Sequence, residues 1–271
     1  MKYTVLGSSG FIGSHLVRWL ESQGHDCHAP ARGEDLSGRP LGHVIYSIGL
    51  TADWRGRQHD TVKAHVCALL EVLEKTDFES LLYLSTTRLY AGIEDTREGG
   101  NLRVNPLRTD DLYNVSKIMG ESICLSSPRE TIRVARLSNV FGDDFTSENF
   151  LTSVLRDAAE HNQVILRTSL DSAKDYVSVD DVVRLLPRIA SAGRRRVYNV
   201  ASGENTTHRA LVDAIVKVTG CRIEVAEGSP TVSFPPILIE RIREEFGFSP
   251  VRVADALPKL VAEYKRRFLH A

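Results

Sequence analysis

The 271 residues carry 34 Lys plus Arg against 35 Asp plus Glu, a formal charge of −1, with 42% hydrophobic residues. Such a balance offers no long-range field, so neither nucleic acid nor an anionic membrane surface is expected as a partner. No apolar stretch approaches the roughly 20 residues that a membrane span needs, and Cys27, Cys67, Cys124 and Cys221 are scattered, without a CxxC pair or metal-like histidine spacing. They read as reduced, mostly buried thiols of a cytoplasmic protein without a metal site.

In chain order, apolar runs predict strands at residues 3–6, 27–29, 44–48, 81–85, 132–136 and 164–166. Between them lie helical stripes, Ile12/Leu16/Trp19/Leu20, Val62/Val66/Leu69/Leu70/Leu73 and Val115/Met119/Ile123, each expected to bury one face on a sheet. This alternation is the pattern of βαβ units and a parallel sheet, an α/β fold. Residues 94–111, rich in Gly, Asn, Asp and Arg, read as a long loop of the kind that often carries function. Past residue 145 the pattern loosens, with helices at 150–160, 179–191, 209–218 and 253–267 around short strands such as 197–200. The chain is thus expected to divide into a core, 1–145, and a mixed region, 146–271, that adds late strands and a small lobe. A small molecule is expected between them, at the carboxyl ends of the strands.

Gly7-Ser8-Ser9-Gly10-Phe11-Ile12-Gly13 follows the first strand at once and opens the first helix. Glycines there permit a tight turn, close approach to a pyrophosphate and close helix–strand packing, while helix N–H groups face the phosphate. The spacing is GxxGxxG. At the tip of the second strand, an acid would bond a ribose 2′-hydroxyl and an arginine would accept a 2′-phosphate. The stretch His28-Ala29-Pro30-Ala31-Arg32-Gly33 has no acid at the tip and does have Arg32, which favours NADP over NAD.

Tyr113-Asn114-Val115-Ser116-Lys117 begins a helix, so the phenol and the ammonium sit one turn apart on one face. A nearby cation lowers a phenol's pKa toward a range useful for exchanging a proton with a carbinol or ketone. Leu81-Leu82-Tyr83-Leu84-Ser85-Thr86-Thr87 is a buried strand that ends in hydroxyls at the same sheet edge. Ser85 or Thr86 could hold a substrate oxygen against Tyr113.

Together these residues resemble the extended short-chain dehydrogenase/reductase family, the nucleotide-sugar epimerases, dehydratases and ketoreductases, over nearly the whole chain. Further matches are Ser85-Thr86-Thr87-Arg88-Leu89-Tyr90-Ala91, Ala135-Arg136-Leu137-Ser138-Asn139-Val140-Phe141-Gly142, Asp175-Tyr176-Val177-Ser178-Val179-Asp180-Asp181-Val182 and Tyr198-Asn199-Val200-Ala201-Ser202-Gly203. The resemblance implies a Rossmann-type doubly wound parallel sheet with a small, partly helical C-terminal substrate lobe. It implies Thr86 as catalytic hydroxyl, Tyr113 as acid/base, and Lys117 as pKa modulator and ribose ligand. Cofactor contacts would come from Gly7, Ser9, Gly10, Phe11, Ile12, Gly13, Arg32, Asp35, Leu36, Ser47, Ile48, Gly49 and Ser85, with Asp35-Leu36 at the adenine. Substrate contacts would come from Thr86, Thr87, Arg88, Asn139 and Lys174. A homodimer through the Tyr/Lys helix is also implied.

Four departures narrow the implied chemistry. Thr87-Arg88 replaces the Asp-Glu of the dehydratases, which disfavours elimination and leaves ketone reduction or epimerisation through a transient ketone. Ser47-Ile48-Gly49 stands for Asn-Ala-Ala, Lys174 for a clamping arginine, and no second arginine occurs at 226–236. Only some dozen residues join the second strand to Val44, a compact form that resembles the deoxysugar ketoreductases. The expectation is an NADP-dependent ketoreductase of an activated, nucleotide-linked sugar, with NAD and an epimerase as alternatives and a non-catalytic cofactor sensor as the rival from another class. His59, His65, His161, His208 and His270 read as surface or satisfied histidines, and Trp19 and Trp54 as packing residues.

Overall fold

The computed structural model describes residues 1–50, 54–145, 147 and 149–268. The first half runs β1 (Lys2–Leu6), α1 (Phe11–Ser22), β2 (Asp26–His28), β3 (His43–Tyr46), α2 (Gln58–Val62), α3 (Ala68–Lys75), β4 (Ser80–Thr86), α4 (Leu112–Ser126) and β5 (Ile132–Leu137). The second runs β6 (Asn139–Phe141), α5 (Phe150–Glu160), β7 (Gln163–Leu166), β8 (Ala173–Ser178), α6 (Val179–Ala192), β9 (Val197–Val200), β10 (Asn205–Thr207), α7 (His208–Thr219), β11 (Arg222–Val225), α8 (Glu240–Phe246) and α9 (Val253–Phe268).

Six strands form one parallel sheet in the order β2-β1-β3-β4-β5-β9, the Rossmann-type α/β fold that the resemblance implies. The chain passes from β2 to β3 without a helix, as the short connection requires, so β2 ends the sheet. Alternation along β4 sends Leu82 and Leu84 to a core shared with α1, α6 and α8, through Leu16, Leu186 and Ile242. Leu81 and Tyr83 face the opposite layer with Leu69 of α3 and Cys124 of α4.

A separate apolar cluster joins α5, β7, α7 and α9 through Leu155, Leu166, Leu211 and Leu257. Two small sheets belong beside it, β10-β8-β6 and β11-β7. Residues after 145 therefore serve both bodies, since α6, β9 and α8 pack with the main sheet.

Several expectations shift. The second strand begins one residue earlier than its apolar run, and the third ends at Tyr46, leaving Ser47-Ile48-Gly49 as loop. The strand expected at 164–166 lies in the two-stranded sheet. The thiols divide: Cys124 and Cys221 are buried, Cys27 is half-buried and Cys67 exposed. A π-turn, Lys63–Cys67, interrupts the helical run between α2 and α3, one extra residue that an apolar stripe cannot reveal.

The stripe expected to bury α4 does not do so. Met119 is 49% exposed, whereas Tyr113, Asn114, Ser116, Lys117, Gly120, Glu121 and Cys124 face inward. A mostly polar face can pack there because the sheet supplies its partners, among them the Leu84 carbonyl and Arg136.

Candidate active site at the carboxyl edge of the sheet

The glycine turn is built from backbone contacts. Gly7 has φ +88°, and a Cβ there would meet Ser47 and Ile48 backbone atoms at 2.8 Å. A Cβ on Gly13 would lie 2.2 Å from the Gly7 carbonyl oxygen. The loop after β3 is tied in by Ser47 Oγ, which donates to the Leu6 carbonyl at 2.7 Å. Gly10 N–H donates to the Gly7 carbonyl, and α1 begins with no side-chain cap and no acid in its first turn. Its first N–H groups therefore stay open toward an anion. Ser9 and Gly10 are exposed here, Phe11 and Ile12 half-buried, and Gly49 exposed.

At the tip of β2, Arg32 is exposed. An acid does stand close by, contrary to the reading of the sequence as having none at the tip. The chain turns back so that Glu34 accepts from Ala31 N–H at 3.1 Å and from Arg39 at 2.7 Å, with His28 at 3.4 Å. The Ala31 N–H bond, followed by Arg39, holds its carboxyl below the usual range. Asp35 is exposed and accepts from Ser37 N–H, while Leu36 packs under the sheet.

Thr86, Tyr113 and Lys117 converge. Seven residues of β4 end at Thr86, whose Oγ1 caps the following 3₁₀ turn, Thr87–Tyr90, by accepting from Arg88 N–H at 3.1 Å. Burial pushes the Tyr113 phenol up to about 12, against the opposing pull of the Arg88 charge and the Thr86 hydroxyl. Lys117 Nζ donates to the Leu84 carbonyl at 2.9 Å, and burial brings its ammonium down to about 7 although Glu121 opposes this. Arg88, which the sequence reading placed only among substrate contacts, lies over the ring and pulls the phenol down.

His65 was missed. It lies in the π-turn, fully buried, its ring edge-on to Tyr113 at 5.3 Å. Ser116 Oγ lies 2.8 Å from Nδ1, and Leu50 N–H donates to Nε2 at 3.4 Å, which puts the proton on Nδ1. Nε2 and Lys117 Nζ line the same space above Gly49. Burial, with the Lys117 charge, lowers the ring to about 2. Only the π-turn aims it here, so spacing gave no signal.

Ser85 does not join the site. Its Oγ donates to Glu121 at 2.5 Å, and Glu121 pairs with Arg136 at 2.7 Å, both carriers 4% exposed. Arg136 also donates to Tyr90 Oη, which donates to Asn199. This buried network fixes β4, α4, β5 and β9 to one another behind the reactive groups.

The opposite bank is cationic and aromatic. Trp54, buried, packs 5.7 Å from the Tyr113 ring, and the Arg88 guanidinium lies over both rings at 5.7 and 5.8 Å. Thr87 is buried; Asn139 is exposed and donates to the Asp175 carbonyl. Lys174 on β8 lies over Phe150, which stacks on His208 at 4.0 Å. Burial, then the Arg88 charge, lowers the Lys174 ammonium. The His208 Nε2 atom is buried without a partner among the described residues. A cavity of about 460 Å³ opens nearby, lined by Gly92, Ile93, Glu94, Phe234, Pro235 and Pro236.

Comparison with known proteins identifies the family and the fold. The sequence pattern of the NAD dependent epimerase/dehydratase family matches residues 3–65 and 47–201. A dTDP-glucose 4,6-dehydratase of Streptomyces griseus is 26% identical, covering 97% of this chain and 93% of its own. A GDP-6-deoxy-D-mannose reductase of Pseudomonas aeruginosa is 26% identical over 82% of each. The solved structure of RMD from Pseudomonas aeruginosa complexed with NADPH superposes with TM-score 0.83 at 21% identity, covering 98% of this chain and 99% of that one. MoeE5 in complex with UDP-glucose and NAD gives 0.83 at 20%, covering 99% and 100%.

Proposed function

The chain belongs to the NAD-dependent epimerase/dehydratase family, and from that premise we propose that it is an NADPH-dependent ketoreductase of a nucleotide-linked sugar. The observation that carries this reading is the convergence of Thr86, Tyr113 and Lys117 at one sheet edge, beside an open glycine turn. Both curated relatives act, by their names, on nucleotide-linked sugars. In this reading Tyr113 exchanges a proton with the substrate oxygen, Thr86 holds that oxygen, and Lys117 fixes the geometry from behind.

The turn fits a dinucleotide, since Gly7 and Gly13 keep its surface free of side chains and α1 presents open N–H groups. When bound, the nicotinamide supplies or accepts the hydride at the carbon. Preference for NADPH follows from Arg32, exposed and without an ion-pair partner among the described residues, while Glu34 is engaged with Arg39, Ala31 N–H and His28. Thr87-Arg88 supplies no carboxylate for elimination.

In this proposal residues 1–145 hold the cofactor, residues 146–271 add late strands and a small substrate lobe, and Asn139 and Lys174, one from each part, face the sugar nucleotide. The outward face of α4, Val115, Met119 and Ile123, joins 40%-exposed Leu70 of α3 as the surface of a homodimer in the cytoplasm. Among the described residues no helix is long and apolar enough to cross a membrane.

The test is stoichiometry with a nucleotide-linked ketosugar and NADPH. A reductase consumes one NADPH per product. Interconversion of sugars without net change at the nicotinamide band would make the protein an epimerase and sink the reductase reading.

A further inference from the structure

Arg88 sits second in the 3₁₀ turn that ends β4, half-buried, with its guanidinium over both Trp54 and Tyr113. Stacking accounts for its position but leaves its fork of N–H donors unused. Among the described residues it donates no side-chain hydrogen bond and has no carboxylate partner. Three other arginines are matched: Arg55, which also stacks on Trp54, pairs with Asp110 at 3.1 Å, Arg241 with Glu98 at 3.2 Å, and Arg136 with Glu121. Lys174 faces the same bank, likewise without an acid among the described residues, and is close enough to respond to the Arg88 charge. Two cations whose charges reach each other, with no acid partner for either among the described residues, repel, and an anion placed between them relieves both.

Resting on the proposal of a nucleotide-linked sugar, we propose that the sugar itself carries a carboxylate near the reacting carbon, and that the Arg88 fork binds it: the substrate is a nucleotide-linked uronic acid. Position separates this carboxylate from the diphosphate. An oxygen that exchanges a proton with Tyr113 must lie at its hydroxyl, so a group seated on the guanidinium stacked over the same ring is a close neighbour of that carbon. A diphosphate hangs from the anomeric oxygen, and Lys174 stands on the lobe side for it, beside Ala173, which bridges to Ser233 at the 460 Å³ cavity. A planar fork matches the two oxygens of a carboxylate in a way that an ammonium cannot.

The experiment measures dissociation constants, by calorimetry on the NADP-loaded full chain, for UDP-glucose against UDP-glucuronic acid and GDP-mannose against GDP-mannuronic acid. In the better-bound nucleotide series the acid is expected to bind roughly ten- to a hundred-fold more tightly than its neutral partner, the scale of charge-assisted hydrogen bonds. Arg88→Met should bring the ratio close to one, and Arg88→Lys should keep part of it. Lys174→Met should weaken acid and neutral sugar by a similar factor, leaving the ratio in place. Equal binding of acid and neutral sugar by the parent chain overturns the uronate inference alone. So does a ratio that survives Arg88→Met. If neither nucleotide series binds, the nucleotide-sugar reading itself falls, and this inference with it.

Discussion

The two helices that flank the site reach the sheet edge by opposite means. α1 arrives through backbone: bare glycines, an uncapped first turn, and no room for a Cβ where the loop after β3 presses in. α4 arrives through side chains, burying Tyr113, Ser116, Lys117 and Glu121 against polar partners on the strands and turning Met119 outward. The first device tolerates no added atom. The second tolerates no lost partner, because Ser116, Lys117 and Glu121 are each buried and held by specific bonds.

The largest expected effect falls on the α4 side. Tyr113→Phe keeps the ring against Trp54 and His65 but removes the hydroxyl at Thr86; turnover should fall by roughly a hundred- to ten-thousand-fold, with cofactor binding retained in a fluorescence titration. Intact turnover would remove Tyr113 from the mechanism. Glu121→Gln strands Arg136 in a site where both groups are 4% exposed, and chemical denaturation should show a loss of about 3–5 kcal/mol.

On the α1 side, Gly13→Ala sets a methyl 2.2 Å from the Gly7 carbonyl oxygen. It should cost about 1–3 kcal/mol of stability as overpacking and weaken dinucleotide binding, measured together by thermal melts with and without NADPH. A purely stabilising change would mean that the turn is not the tight element described.

Histidine at the π-turn allows a pH test of the α4 side. The folded pKa of His65 is lowered to about 2 from an ordinary 6.5. As pH falls below 6.5 the unfolded chain takes up a proton that the folded one refuses, so stability drops. At pH 5 the loss is about 2 kcal/mol, at roughly 1.36 kcal/mol per pH unit. His65→Asn should flatten this acid limb by that amount relative to the parent, although His43 and His208, also lowered, keep part of the slope in both. An unchanged limb would show that His65 charges freely. The smallest effect is cofactor choice: Arg32→Ala should weaken NADPH about ten-fold, the scale of one phosphate contact, and NADH little. Equal loss for both would remove Arg32 from the 2′-phosphate.

What could be read from the chain follows the same division. The glycine turn, the strand ending in Ser85-Thr86-Thr87 and the one-turn spacing of Tyr113 and Lys117 are local, set by covalent geometry and helical period, and the parallel sheet follows from alternating strands and helices. The burial of α4 was misread because apolar periodicity marks a buried face only when the core is apolar, and here Leu84, Arg136 and Ser85 offer polar partners. His65 is satisfied as the sequence suggests, but its place beside Tyr113 was not legible, since a π-turn aims it there and separation along the chain does not encode that.

By itself, then, the sequence determined the alternation of strands and helices and the glycine and Tyr/Lys motifs, since each depends on residues within a few positions of one another. Tertiary structure alone decided which side chains share the site. It set Arg88 over the phenol, Trp54 and His65 against its ring, and Ser85 away from it toward Glu121. Charges and hydrogen bonds act through space at a few ångströms, and only the folded chain brings residues 54, 65, 88 and 113 within that reach.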